Sequence, residues 1–168
     1  LRGMMVMAMA NSRNAMAITT GNKSELAMGY CTLYGDMVGG YAPLGDLYKT
    51  EVYAVAHAIN SEAERFGDKA PITESTLTKP PSAELAPDQL DQDTLPPYKI
   101  LDSILESHIE AGASASTLID LGHDEKMVDW ILERLHDNEH KRWQMPPAPR
   151  VSNRAFGQGW RQPLAAKK

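Results

Sequence analysis

The chain opens on an apolar run that has no single side. Met4, Met5, Val6, Met7, Met9 and Ala10 spread around most of a helical circumference before Asn11. A helix that is apolar all round is buried, either in a core or against a partner. Methionine is common core filler, and Asn11 suits the helix end. The next apolar segment, Ala15-Met16-Ala17-Ile18-Thr19, predicts a short buried strand. It ends in the polar turn Thr20-Gly21-Asn22 and feeds a helix predicted over residues 23–30. Open α/β folds bind nucleotides where a strand ends in such a turn. The N-terminus of the following helix offers unpaired N–H groups and a positive dipole end, which suit phosphate.

Further along, Asp46 is a candidate N-cap. Val52, Val55, Ala56 and Ile59 then recur at helical spacing and predict an inward face. Residues 60–95 lack a helical period and are rich in Pro, Thr, Asp and Glu. A loop of that length in a compact domain is functional or mobile as a rule, and residues 70–93 have the character of a lid. A helix is predicted over 96–111, with Pro96 and Pro97 at its start and Ile100, Leu101, Ile104, Leu105 and Ile109 facing inward. A short helix over 114–121 stops at Gly122. The last long helix starts near Asp124, carries Val128, Ile131, Leu132 and Leu135 on one face, and runs into the basic stretch His140-Lys141-Arg142.

At 168 residues the chain is one domain's worth. A net charge of −5 gives no basic footprint for nucleic acid, and no apolar run is long enough to span a membrane. The one cysteine, Cys31, rules out an internal disulfide and fits a reducing, cytoplasmic setting. It has no evident His partner and is a poor candidate nucleophile.

Several ordered motifs carry a resemblance. They include Thr20-Gly21, Ser24-Glu25, Gly29-Tyr30, Thr32-Leu33-Tyr34-Gly35-Asp36 and Pro43 through Lys49. Thr78-Lys79-Pro80-Pro81-Ser82-Ala83-Glu84-Leu85, Asp91 through Tyr98, Glu139-His140-Lys141-Arg142 and the tail Arg150 through Arg161 follow. Together they resemble the C-terminal half of the synthetase domain of NAD synthetases, most like the glutamine-dependent form. The resemblance implies an α/β fold of the ATP-pyrophosphatase, Rossmann type, here mostly helical with one or two parallel strands. It implies ATP-dependent amidation of deamido-NAD to NAD through an adenylated intermediate, with ammonia from glutamine. Mg²⁺ and a homo-oligomer, with residues 1–11 near its interface, are implied as well.

By the same resemblance Thr20, Lys49 and Ser82 contact ATP, and Lys79 reaches phosphate. Glu25 binds the metal and the deamido-NAD end of the site. Tyr30, Leu33, His140 and Lys141 bind deamido-NAD. Some relatives carry Lys at the position of Leu33 and Asp at that of Gly40, a departure in the substrate contacts. The family's Ser-Gly-Gly-x-Asp-Ser phosphate loop does not occur in the chain. That absence, with the start inside an apolar helix, implies a piece of a longer protein that does not turn over alone. The bland readings are a dipole-complementing Glu25, a solvated Lys49, turn hydroxyls at Thr20 and Ser82, and helix-end cations at His140 and Lys141. A non-catalytic dimerisation and ligand-docking unit is the alternative of a different class. Another ATP-pyrophosphatase amidotransferase, such as a GMP synthetase, is the alternative enzyme; the Tyr34-Gly35-Asp36 run and the His140-Lys141 box argue against it.

Overall fold

A computed structural model describes residues 1–82 and 90–164. Helices α1 (Arg2–Ser12), α2 (Lys23–Met28), α3 (Lys49–Arg65) and α4 (Glu74–Thr78) precede a 3-10 turn at Asp91–Asp93. Helices α5 (Tyr98–Ile109), α6 (Ala115–Asp120), α7 (Glu125–Asp137) and α8 (Glu139–Arg142) follow. The short helix α2 is the hub, packed against α3, α5, α7 and α8. Leu26, Ala27 and Met28 bury against Leu101, Ile104 and Leu105 of α5 and Val128, Ile131 and Leu135 of α7.

Local chemistry sets the helix ends. Asn22 and Glu25 form a reciprocal capping box at the start of α2, with N···O distances of 3.0 and 3.1 Å. Gly29 closes the helix in the left-handed region at φ +65°. Asp124 caps α7 through the Met127 N–H, as its position in the sequence predicts. Gly122 stops the chain after α6 at φ +96°.

Several expectations are corrected. Among the described residues no extended strand forms, so the predicted parallel strand reduces to a single bridge between Ile18 and Tyr41. Only two backbone bonds hold it, Gly40 N–H to the Ala17 carbonyl and Thr19 N–H to that of Tyr41. Two bonds are too few for a ladder, and Met16 and Ile18 lie exposed rather than between layers. Helix α1 is not a core helix: Gly3 and Ala10 are buried, whereas Met4 is 75% exposed. Gly3 seats it, because its N–H donates to the Tyr34 carbonyl and a Cβ there would lie 2.2 Å from that oxygen. The α3 stripe is only half inward, with Val52 and Ala56 half-buried but Val55 and Ile59 exposed, and α3 runs on to Arg65, into the segment expected to lack a helical period. Glu62, Ala63, Glu64 and Arg65 are good helix formers that need no buried face. Ile100 is exposed, unlike the other four residues of its predicted set. The expected lid contains α4 and the 3-10 turn; residues 83–89 lie outside the described residues.

Gly29 makes the sharpest prediction for the fold. A Cβ on it would lie 1.9 Å from Asn138 Oδ1, and its φ is one that L side chains rarely adopt. Gly29→Ala is expected to lower the unfolding free energy by at least ~2 kcal/mol, seen as a lower urea midpoint, the sum of backbone strain and displaced packing. An unchanged midpoint contradicts this placement of the α2 end.

Candidate functional site

Three consecutive side chains in the first turn of α2 point three ways. Lys23 is fully buried and points toward the C-terminal segment. Its Nζ lies 2.8 Å from Asp46 Oδ1 and 2.5 Å from Glu110 Oε1. It also donates to Ser152 Oγ at 2.8 Å and the Arg154 carbonyl at 3.0 Å. Asp46 is therefore not the N-cap of α3, which is Tyr48. Its Oδ2 accepts the N–H groups of Val151 and Ser152, each at 2.8 Å, and so ties residues 151–152 to α2. Burial pushes the Asp46 carboxyl upward, but hydrogen bonds from Lys23, Ser152 and Val151 overcome this and hold it below the ordinary aspartate value.

Ser24, also fully buried, points toward α3 and α5. Its Oγ donates to Asp102 Oδ1 at 2.5 Å and accepts the Lys49 N–H at 2.9 Å. Glu25 lines a cleft with Thr19, Gly21, Tyr30, Cys31 and Asp36, while its carboxylate accepts the Asn22 N–H and faces Lys49. At the edge of the cleft Lys49 Nζ lies 3.0 Å from Glu25 Oε1, each side chain less than one-fifth exposed. Burial, first of all, pushes the Cys31 thiol up to about 11, which keeps it protonated at neutral pH.

The sequence candidates fall into groups. Glu25, Lys49 and Tyr30 meet at this cleft or its edge. Thr20 is exposed between the cleft-lining Thr19 and Gly21. Leu33 lines the adjoining hollow with Tyr34, Met37 and Val38. Ser82 is half-buried, and the Ala83-Glu84-Leu85 end of its motif lies outside the described residues. His140 is exposed, and its Nδ1 lies 2.9 Å from the Asp137 carbonyl of the preceding turn. Lys141 Nζ donates to the carbonyls of Gly29 and Cys31 at 2.6 and 3.1 Å. Arg142, buried, donates to the carbonyls of Leu26, Ala27 and Leu135 and to Glu139. Lys141 and Arg142 thus cap the end of α2 from outside, placing cations on carbonyls of its last turn and of Gly29 and Cys31 just beyond it. His140, Lys141 and Arg142 also stand in the last turn of their own short helix, α8, as the dipole reading expects. That reading placed them on one long helix, whereas Asn138 separates α7 from α8.

The expectation of unpaired N–H groups at the start of α2 also changes. The Glu25 N–H is taken by Asn22 and the Lys23 N–H by the Leu47 carbonyl. Among the described residues no three His, Cys, Asp or Glu side chains converge as a metal cage. No described helix is long and apolar enough to cross a membrane.

The buried charges yield a pH prediction. The folded-state carboxyl of Asp46 is depressed, so its stabilisation is present above the unfolded value of about 4 and is lost as pH falls through the folded value. Unfolding stability should therefore decline on acidification below about pH 4, less steeply in Asp46→Asn. Lys23→Met, which leaves Asp46 and Glu110 without their buried cation, is expected to cost about 3–5 kcal/mol at pH 7. A wild-type-like Lys23→Met contradicts the network.

Comparison with known proteins identifies the family. A family model for NAD synthase matches residues 1–146. The glutamine-dependent NAD(+) synthetase of Acinetobacter baylyi is 48% identical over 163 residues, which are 97% of this chain and 29% of that protein. The Xylella fastidiosa protein of the same name is 46% identical over 164 residues, again 29% of its length. The chain thus spans less than a third of these curated relatives. Among solved structures, a glutamine-dependent NAD(+) synthetase from Cytophaga hutchinsonii superposes with a TM-score of 0.69. At 20% identity, with 98% of this chain and 27% of that one covered, it shows a shared fold. An NMN synthetase from Francisella tularensis gives 0.56 at 27% identity, over 82% of this chain and 49% of that one. With the family model covering most of its length, the chain belongs to the NAD synthase family.

Proposed function

We propose that this chain is the C-terminal part of the ATP-dependent synthetase domain of a glutamine-dependent NAD synthetase, within an α/β fold of the ATP-pyrophosphatase type. The observation that carries the reading is the Glu25–Lys49 pair at the edge of the cleft, inside the family motif. The reaction joins two steps. The nicotinate carboxylate of deamido-NAD attacks the α-phosphorus of ATP, and pyrophosphate leaves. Ammonia then attacks the adenylated carboxyl carbon, loses a proton and expels AMP, which leaves the carboxamide of NAD.

Phosphoryl transfer of this kind asks the protein for position and positive charge more than for a nucleophile. Lys49 supplies a fixed ammonium for the phosphates, and Thr20 and Ser82 supply hydroxyl donors. Lys79 is a further cation for the phosphates. Tyr30 and Leu33 offer apolar surface to the deamido-NAD end, with His140 and Lys141 as the cations beside it. Lys141 delivers its charge while bonded to the Gly29 and Cys31 carbonyls, so it is held rigidly.

Mg²⁺ suits the donor set. It keeps several waters and takes one or two protein carboxylates with substrate phosphates, so one carboxylate, Glu25, is enough on the protein side. Bound there it would neutralise phosphate charge. Lys49 holds Glu25 until phosphate offers the ammonium a better partner. The full protein is read as a cytoplasmic homo-oligomer that presents α1, with its exposed methionines, at the subunit boundary.

The test uses the full-length protein, assayed for NAD formation from deamido-NAD and ATP with ammonia supplied directly. Glu25→Gln and Lys49→Ala are each expected to lower kcat/KM on the order of 100-fold or more, the scale of losing a charged group from a phosphoryl-transfer site. Activity within threefold of wild type in both variants contradicts the reading.

A further inference from the structure

No residue of helix α3 is fully buried, yet its N-terminus is held from below. Its N-cap, Tyr48, makes no capping bond with its side chain. The first two helical N–H groups find acceptors in other helices instead. The Lys49 N–H donates to Ser24 Oγ of α2 at 2.9 Å. The Thr50 N–H donates to Asp102 Oδ2 of α5 at 2.9 Å, and Thr50 Oγ1 donates to the same oxygen at 2.8 Å. The other carboxylate oxygen, Oδ1, accepts from Ser24 Oγ at 2.5 Å. Asp102 is 4% exposed and Ser24 is 0% exposed.

A buried carboxylate costs several kcal/mol in desolvation unless its acceptors are used. Here three donors use both oxygens, and a helix N-terminus adds a favourable dipole. The register matters more than the stability. Ser24 immediately precedes Glu25, and Thr50 immediately follows Lys49. The clamp therefore grips the neighbour of each member of the Glu25–Lys49 pair. It fixes the two backbones from which that pair projects, although Asp102 is not among the cleft-lining residues.

We propose that Asp102 is a positioning residue: through Ser24 and Thr50 it sets the spacing of Glu25 and Lys49 for the phosphates of the nucleotide. The proposal rests on the function proposed above. Partners that orient ligating groups from behind are commonly worth ~10–100-fold, and a displacement of about 1 Å can cost on the order of 100-fold. Asp102→Asn keeps the shape but turns one acceptor into a donor that faces the Thr50 or Ser24 donors. In the full-length protein it is expected to weaken calorimetrically measured Mg-ATP binding roughly tenfold and to raise KM for ATP more than it lowers kcat.

Two controls separate positioning from plain destabilisation. Leu118→Ala trims a fully buried residue of α6, a helix outside the set packed on α2, and should lower Tm while leaving ATP affinity alone. In a Lys49→Ala background, Asp102→Asn should weaken ATP binding by less than about twofold, because the group it positions is gone. Ser24→Ala, which removes the link between Asp102 and Lys49, should reproduce the affinity loss and carries the test if Asp102→Asn fails to fold. A folded Asp102→Asn or Ser24→Ala protein with a lowered Tm but wild-type ATP affinity overturns the proposal and leaves Asp102 a structural residue. Wild-type ATP affinity in Lys49→Ala itself overturns the proposed function first, and the positioning role with it.

Discussion

The structure depends on how the first turn of α2 is held. A fully buried ammonium at Lys23 lies against two carboxylates, and neither charge sign is tolerable there without the other. The arrangement joins four stretches of chain that are far apart in sequence: α2, the loop at Asp46, the residue after α5 at Glu110, and the segment at Ser152 and Arg154. Glu110 Oε2 also accepts the Arg154 N–H at 2.8 Å, so the same carboxylate serves the cation and the tail. An ionic centre of this kind gives modest net stability and strict register, because a slip of any partner strands a buried charge.

The consequences reach both ends of α2. At the N-terminus, fixing Lys23 fixes Ser24 and Glu25, so one six-residue helix anchors the tail, meets α3 and α5, and presents a carboxylate to the cleft. At the C-terminus, Lys141 and Arg142 donate to carbonyls of its last turn and of Gly29. A helix this short has little stability of its own. Its order is borrowed from tertiary partners. The outward faces of α1 and α3 carry no such role within this chain.

Much of this architecture was legible in the sequence. The i, i+3, i+4 spacing of Val128, Ile131, Leu132 and Leu135, with Asp124 near its start, located α7. Pro97 marked the start of α5, and Gly122 the stop after α6. The motif around Glu25 and Lys49 pointed to residues that the fold brings within 3.0 Å of each other. What stayed hidden was long-range and polar. Lys23 and Glu110 lie 87 positions apart, and no local period announces a pairing of that kind. Asp46 has the chemistry of an N-cap three residues before α3, yet two N–H groups from 105 and 106 positions away claim it. The apolar run at Ala15–Thr19 has the composition of a strand, but strand formation is decided by neighbours, and composition carries none of that information.

The most direct measurement is a crystal structure of the full-length protein with a non-hydrolysable ATP analogue and Mg²⁺. The account predicts a metal coordinated by the Glu25 carboxylate at about 2.1 Å, and the Lys49 ammonium turned from Glu25 onto phosphate oxygens. Nucleotide and metal bound elsewhere, with the Glu25–Lys49 pair intact, contradict it.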